Sequence, residues 1–222
     1  MAVHPITLRV NGREYSGQAE ARKTLADFIR EDCGLTGTHL GCEHGVCGAC
    51  TILMDGEAVR SCLLFAVQAE GADLRTVEGL ADGDRLHPIQ QAYWDHHALQ
   101  CGFCTPGFLM TTVAFLRDNP RPTEREIREG LAGNLCRCTG YQNIVEAVAA
   151  AAEALASGAI AQAAAPHGAV PRVAVPTPLP PAGAATAVDG LVRPPDGASK
   201  ARRRRKAVAV KKTSKRQRKP SR

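Results

Sequence analysis

Four cysteines within one 22-residue stretch constrain this chain more than any other feature. The stretch, residues 41–62, reads GCEHGVCGACTILMDGEAVRSC, and its spacing is C-x4-C-x2-C followed by a fourth cysteine after eleven residues. The cysteines are Cys42, Cys47, Cys50 and Cys62. This is the plant-type ligand spacing of a [2Fe–2S] cluster. Two irons bridged by two sulfides take four thiolates, so we predict a cluster site with three ligands from a loop and one from a nearby strand.

Glycines separate the cysteines of this loop, at Gly41, Gly45 and Gly48. Glycine permits positive φ and close approach of the backbone, so that amide N–H groups can point at a cluster. The alternative is a zinc knuckle, in which C-x2-C pairs are common. Zinc sites usually combine two short pairs, and C-x4-C-x2-C matches that arrangement less well. The spacing therefore favours iron and sulfide.

Charge is divided unevenly along the 222 residues. Residues 1–199 contain 15 basic and 22 acidic residues, whereas residues 200–222 contain 13 basic residues and no acidic ones. We expect a mildly acidic body followed by a basic tail. A run of Lys and Arg can bind nucleic acid through counterion release, but no aromatic residues are interleaved to stack on bases. We do not expect nucleic-acid binding to be the main function.

Nine cysteines in a chain of this length raise the question of its compartment. The first 15 residues lack the basic start, apolar run and cleavage site of a secretory signal. No apolar run is long enough to span a bilayer. We therefore expect a cytoplasmic protein, in which thiols stay reduced and clustered cysteines indicate metal or redox chemistry.

Residues 1–80 predict a compact α+β unit. Strands are predicted at residues 6–10 and 13–17, joined by the hairpin signal Asn11-Gly12. Thr24 opens a helix that extends to about residue 32. Further strands are predicted at residues 51–54, 58–63 and 74–77.

Residues 81–158 change to a helical period. Helices are predicted at residues 87–99, at 106–118, from 123 and at 141–156. Thr105 is the expected N-cap of the second helix, and Thr123 with Glu126 forms a capping box for the third. Four helices with short connections indicate a small bundle. Residues 159–222, rich in Ala and Pro and then basic, are expected to be disordered because they cannot bury enough apolar surface.

A second set of four cysteines lies in the helical unit. Cys101 and Cys104 form C-x2-C before the second helix, and Cys136 and Cys138 form C-x-C before the fourth. Helix N-termini favour negative charge, which suits an anionic all-thiolate [2Fe–2S] site. A thioredoxin-type dithiol would need its pair after the first strand of a βαβ unit. The remaining cysteine, Cys33, lies outside both sets, and we assign it no function.

Three motifs in this order, GCEHGVCGAC, QCGFCTPG and NLCRCTGYQNI, closely resemble the small iron–sulfur subunit of the molybdenum hydroxylases. This family includes xanthine dehydrogenase, aldehyde oxidoreductase and aerobic carbon monoxide dehydrogenase. The resemblance covers about residues 3–158 and includes all eight expected ligands. The tail has no counterpart in the family pattern. It implies a ferredoxin-like β-grasp domain over residues 1–80 and a four-helix bundle over residues 81–158 that faces the molybdopterin of a large subunit.

The resemblance also implies an electron-transfer function within a multi-subunit oxidoreductase. Electrons from molybdopterin would pass to the helical cluster, then to the ferredoxin-like cluster, and on to FAD in a medium subunit or to another acceptor. Gln100 and Cys138 match positions that lie close to the pterin in the family. The chain alone would perform no substrate chemistry. The alternatives are a stand-alone iron–sulfur carrier and a zinc-stabilised protein that binds nucleic acid through its tail.

Overall fold

A five-stranded mixed sheet forms the N-terminal part of the fold in a computed structural model of the protein, which describes residues 2–157. Its strands are β1 (Val3–Val10), β2 (Arg13–Glu20), β3 (Thr51–Met54), β4 (Glu57–Arg60) and β5 (Asp73–Arg75). The order across the sheet is β2-β1-β5-β3-β4. Only β1 and β5 run parallel; the other neighbours are antiparallel. The central strand β5 thereby joins two hairpins into one sheet.

Two tight turns close these hairpins, the first of them as the sequence predicts. Asn11 and Gly12 adopt φ of 52° and 78°, and Asp55 and Gly56 adopt 52° and 91°. Positive φ at both central residues matches the twist of a two-residue hairpin. The predicted strand at residues 58–63 is wrong at its end, because β4 stops at Arg60.

The chain leaves β4 through a 3-10 turn at Ser61–Leu63. The Ser61 hydroxyl donates to the carbonyl oxygen of Cys50 at 2.8 Å, which bends the chain towards the cysteine loop. Cys62 therefore lies on a turn, and not on the strand that the sequence predicts.

One short helix covers the sheet. α1 (Leu25–Asp27) continues as a π-helical turn over Phe28–Asp32. The Thr24 hydroxyl accepts a hydrogen bond from the Asp27 amide at 3.1 Å, as expected of an N-cap. The buried side chains of this core include Ile6, Leu8, Leu25, Phe28, Ile29, Ile52 and Leu74.

Four further helices follow: α2 (Pro88–Asp95), α3 (Thr105–Asp118), α4 (Glu124–Gly130) and α5 (Gln142–Ala156). The capping box of Thr123 and Glu126 is present. The expected N-cap role of Thr105 is wrong, because Cys104 occupies the N-cap position of α3. The Thr105 hydroxyl is buried and has no hydrogen-bond partner within the protein.

A second apolar core lies among these helices. Its fully buried side chains include Tyr93, Phe108, Met110, Ile127, Ile144 and Val148. Leu53 of β3 and Leu80 belong to the same core, so the sheet contributes to the packing of the helices. The fold is thus a mixed sheet with helices, and the two parts are packed directly together.

Gly107 of α3 packs closely against the loop that contains Gly48. A Cβ atom there would lie 2.2 Å from the carbonyl oxygen of Gly48, so only glycine fits. Among residues 2–157, no helix is both long and apolar enough to cross a membrane. The predicted disordered segment, residues 159–222, lies outside the described residues.

Candidate metal centres

The first four predicted thiols come together beneath the loop of residues 41–50. The Cys42 and Cys47 thiols interact with each other, and the Cys47 amide donates to the Cys42 sulfur at 3.4 Å. The Cys50 and Cys62 thiols form a second interacting pair and are buried. Cys62 also lies within electrostatic reach of Cys42. The set is therefore two neighbouring pairs of sulfurs.

Backbone amides and burial shift the pKa values of thiols in this first set in opposite directions. Hydrogen bonds from the amides of Cys47 and His44 lower the pKa of the Cys42 thiol to about 6. Burial has the opposite effect on Cys62 and raises its pKa to about 11. Metal ligation requires thiolates. The amide donors therefore favour the thiolate of Cys42, whereas burial disfavours the thiolate of Cys62.

The second four predicted thiols also form two pairs. The sulfurs of Cys101 and Cys138 lie 3.4 Å apart, and both residues are exposed. The Cys104 and Cys136 thiols interact with each other and are half-buried. Burial raises the pKa of the Cys104 thiol to about 12. This set thus has an exposed pair and a sheltered pair.

A small hydrogen-bonded loop holds Cys136. The Thr139 hydroxyl donates to the Cys136 sulfur at 3.2 Å, and the Thr139 amide lies 3.5 Å from the same sulfur. The Cys136 amide donates to the Tyr141 hydroxyl at 2.9 Å. Burial disfavours the Cys136 thiolate, but these donors outweigh it and lower the pKa of the thiol from its ordinary value.

Both sets fit a diiron cluster. Two irons with two thiolates each need four sulfurs arranged as two pairs, which is what each set provides. Within residues 2–157, no three His, Cys, Asp or Glu side chains converge on a position for a single metal ion. The partnerless hydroxyl of Thr105, next to Cys104, is a further feature that sulfur acceptors of a cluster can satisfy.

The two sets are joined by a short hydrogen-bonded contact. The Leu135 amide donates to the carbonyl oxygen of Cys47 at 2.9 Å, which places Cys136 one residue from the first loop. The buried Asn134 side chain donates to the Gly48 carbonyl at 3.1 Å and accepts from the Thr111 hydroxyl at 3.0 Å. These contacts fix the first loop against the second.

Sequence reasoning missed this contact between the two cysteine sets and the contacts beside it. The His39 ring stacks on Phe103 with centroids 4.9 Å apart, and its Nδ1 lies 2.7 Å from the Phe103 carbonyl. No sequence pattern relates two residues 64 positions apart. Thr139 could have been found, because it directly follows the C-x-C pair. Gln100 is exposed and directly precedes Cys101, and its contact with the pterin stays a prediction.

Two family models match the chain, one for each set of cysteines. A "2Fe-2S iron-sulfur cluster binding domain" matches residues 8–81, and a "[2Fe-2S] binding domain" matches residues 76–149. Together they include all eight predicted ligands. The matched ranges overlap by six residues, between the sheet and the first of the four helices.

Characterised relatives match over nearly the same part. The chain is 62% identical over 146 residues to the nicotine 6-hydroxylase small subunit of Paenarthrobacter nicotinovorans, covering 66% of this chain and 88% of that protein. It is 51% identical to the xanthine dehydrogenase iron-sulfur-binding subunit of Escherichia coli O157:H7, covering 64% of this chain and 91% of that protein.

A solved structure extends the likeness to the fold. A chain of quinoline 2-oxidoreductase from Pseudomonas putida 86 is 52% identical, with a TM-score of 0.68, over 70% of this chain and 98% of that chain. Motifs, pairing of the thiols, family models and relatives agree. The chain belongs to the family of small [2Fe–2S] iron–sulfur subunits of the molybdenum hydroxylases.

Proposed function

We propose that this chain is the electron-transfer subunit of a molybdenum hydroxylase, passing electrons from a molybdopterin centre in a large subunit towards FAD or another acceptor. The observation that carries the proposal is the pair of four-thiol sets, joined by the hydrogen bond between Leu135 and Cys47. The relatives support it, because they are named as subunits of hydroxylases and dehydrogenases.

The proposal assigns each set of thiols to one cluster. The first-cluster ligands are Cys42, Cys47, Cys50 and Cys62, and the second-cluster ligands are Cys101, Cys104, Cys136 and Cys138. A bound [2Fe–2S] cluster supplies one-electron redox chemistry. The residues bind and shield it: Cys50 and Cys62 are buried, and Leu40 packs against them.

The domain division is part of the same proposal. Residues 1–80 form a ferredoxin-like β-grasp domain around the first cluster, and residues 81–158 form a four-helix bundle that holds the second. The separate apolar cores of the sheet and the helices support this division. The sharing of Leu53 by the helical core means that the domains are docked and not independent.

The exposed side of the second set is the proposed docking site of the large subunit. Cys101, Cys138 and Gln100 are exposed there. Phe103 and Leu135 in the neighbouring loops are 48% and 49% exposed, and apolar side chains exposed beside a site mark an interaction surface. We place Gln100 and Cys138 against the pterin, since an amide can both donate to and accept from a pterin edge.

The order of transfer follows from the same difference in exposure. The exposed pair faces the molybdopterin, so the second cluster receives the electron first. Leu135 is the residue before Cys136 in the chain, and its amide donates to the carbonyl oxygen of Cys47. This route gives a short connection from the second cluster to the first. A medium subunit with FAD, or another acceptor, takes the electron from the first cluster. We further propose that the complex works in the cytoplasm, where its thiols stay reduced.

Co-purification tests this function against a stand-alone carrier. The full chain, tagged and purified without oxygen from a cell that also produces its large subunit, should bring molybdenum and a larger protein with it. Addition of the oxidisable substrate should then reduce both clusters, and EPR should detect the signals of the reduced clusters. A chain that carries its full iron but neither molybdenum nor a partner would contradict the proposal and favour the stand-alone carrier.

A further inference from the structure

Thr139 is the one residue whose side-chain hydroxyl contacts a predicted ligand sulfur among the described hydrogen bonds of residues 2–157. Its Oγ1 lies 3.2 Å from the sulfur of Cys136. In the first set, the corresponding donor to Cys42 is the backbone amide of Cys47, at 3.4 Å. A backbone amide donor remains after most side-chain substitutions, whereas a single substitution of the threonine removes its hydroxyl. The two sets therefore differ in how their sulfurs are hydrogen-bonded.

The Thr139 hydroxyl donates to the Cys136 sulfur and accepts a hydrogen bond at the same time. The Tyr141 amide donates to Thr139 Oγ1 at 3.1 Å. A hydroxyl carries one hydrogen and two lone pairs. The Tyr141 amide occupies a lone pair and leaves the hydrogen free, and the sulfur of a Cys136 thiolate ligand can only accept it. The Thr139 amide adds a weaker contact to the same sulfur at 3.5 Å.

A donor at a ligand sulfur changes the reduction potential of a cluster. Reduction adds one electron and no bond forms, so the negative charge on the sulfurs increases. Hydrogen bonds to the sulfurs favour that more negative state and raise the potential. The effect is stronger where solvent screens the interaction less than at an exposed position, and Cys136 is half-buried.

We propose that Thr139 is a positioning residue that raises the reduction potential of the second cluster through its hydroxyl. This inference rests on the proposed function, because it takes Cys136 as a ligand of the second cluster. In that role, the hydroxyl makes the second cluster a better acceptor of the electron that leaves molybdenum. The first cluster has no such side-chain donor among the hydrogen bonds that the structure describes, and its potential is set by other groups.

The test is a redox titration of the full chain with both clusters bound, in which the EPR signal of each cluster gives its reduction potential. Thr139→Val keeps the branched shape and removes the hydroxyl. We expect a roughly tenfold shift of the reduction equilibrium of the second cluster towards the oxidised state, as one charge-assisted hydrogen bond is lost. For a one-electron couple, that is about 59 mV more negative. The potential of the first cluster should stay unchanged.

Two matched variants separate donation from loop support. Thr139→Ser keeps the hydroxyl and should keep the wild-type potential. Tyr141→Phe removes the acceptor of the Cys136 amide from the same loop without touching the sulfur, and should leave the potential unchanged. An equal shift in Tyr141→Phe would show that loosening of the loop, and not the hydroxyl, changes the potential, and would overturn the inference.

The remaining outcomes are equally distinct. A wild-type potential in Thr139→Val would overturn the inference while leaving the function intact. Loss of the second signal in both Thr139→Val and Thr139→Ala, but not in Thr139→Ser, would show that the hydroxyl is needed to hold the cluster and would also overturn the tuning role. Absence of two signals from the wild type would contradict the proposed function itself.

Discussion

The same four-residue pattern, C-G-x-C, occurs in both cysteine sets and has two different surroundings. Gly48 and Gly102 are its glycines, with nearly equal φ of 74° and 78°. At Gly48, an added Cβ would lie 2.5 Å from the Gly133 carbonyl and 2.7 Å from the Asn134 side-chain nitrogen. At Gly102, an added Cβ would meet nothing within 4 Å. The pattern encodes the turn, and the tertiary fold decides whether the turn is enclosed.

This difference separates the roles of the two loops. The loop around Gly48 is covered by Gly133 and Asn134, which lie between the two cysteine pairs of the second set, so it is shielded by the protein's own chain. The open loop places Cys101 at the surface, where a partner subunit can cover it. Under the proposed function, the chain holds one centre by itself and presents the other to a second protein.

Removal of one ligand from each set should break the two sites separately. Cys62→Ala should abolish the first cluster, and Cys104→Ala the second, because a missing thiolate leaves an iron incompletely ligated. Iron analysis should show about half of the wild-type content in each variant. EPR should show the loss of a different signal in each. Both signals surviving in Cys104→Ala would remove that residue from the ligand set.

Alanine at the two glycines should have unequal costs. Gly102→Ala adds only the strain of a left-handed residue, about 1 kcal/mol. Gly48→Ala adds the same strain and a clash with the backbone of Gly133, which costs about 2 kcal/mol more. The apparent thermal midpoint should fall by about 2–4 °C per kcal/mol. Equal shifts in the two variants would contradict the enclosed-versus-open contrast.

Asn134→Ala should loosen the contact between the two loops. It removes the donor to the Gly48 carbonyl and leaves the buried Thr111 hydroxyl without the Asn134 acceptor, at a cost of about 2 kcal/mol. Thermal unfolding of the full chain measures the loss. The control is Ser16→Ala, which removes an exposed hydrogen bond to Thr7 and should change stability by about 0.5 kcal/mol or less. Similar small effects in both would mean that Asn134 does not join the loops.

Cys33→Ala should have the smallest effect near neutral pH and a visible effect in alkali. Burial raises the pKa of the Cys33 thiol to about 12, from an ordinary value of 9.0. The unfolded chain therefore ionises first, and the stability due to the neutral buried thiol is lost as pH rises from 9 towards 12.

The measurement is the pH dependence of the thermal midpoint of both proteins. Wild type should lose up to about 1 kcal/mol relative to Cys33→Ala between pH 8 and pH 10. Both proteins should retain full iron at pH 7. Parallel pH profiles would contradict the buried-thiol account, and loss of iron in Cys33→Ala would make Cys33 part of a cluster site.

Local chemistry made part of this fold predictable. The turn at Asn11-Gly12 and the capping box at Thr123 depend on residues close in sequence, and the structure has both. The grouping of the eight cysteines into two sets also followed from spacing and from the family motifs. Each of these features is determined within a few residues or by a motif that carries its own chemistry.

The rest depends on contacts between distant residues. The π-helical turn at Phe28–Asp32 and the 3-10 turn that carries Cys62 adapt to packing and to the cysteine loop. Thr105 satisfies every sequence rule for an N-cap, but Cys104 takes that position. The hydrogen bond from the Leu135 amide to the Cys47 carbonyl joins residues 88 positions apart. No local pattern encodes such a pairing, because it exists only after both halves have folded.

The most direct test of the account is metal and sulfide analysis of the full chain, purified without oxygen, together with EPR after reduction by dithionite. Two [2Fe–2S] sites predict about four irons and about four sulfides per chain, with two distinguishable S = 1/2 signals. A colourless chain that contains stoichiometric zinc and gives no EPR signal would contradict the account.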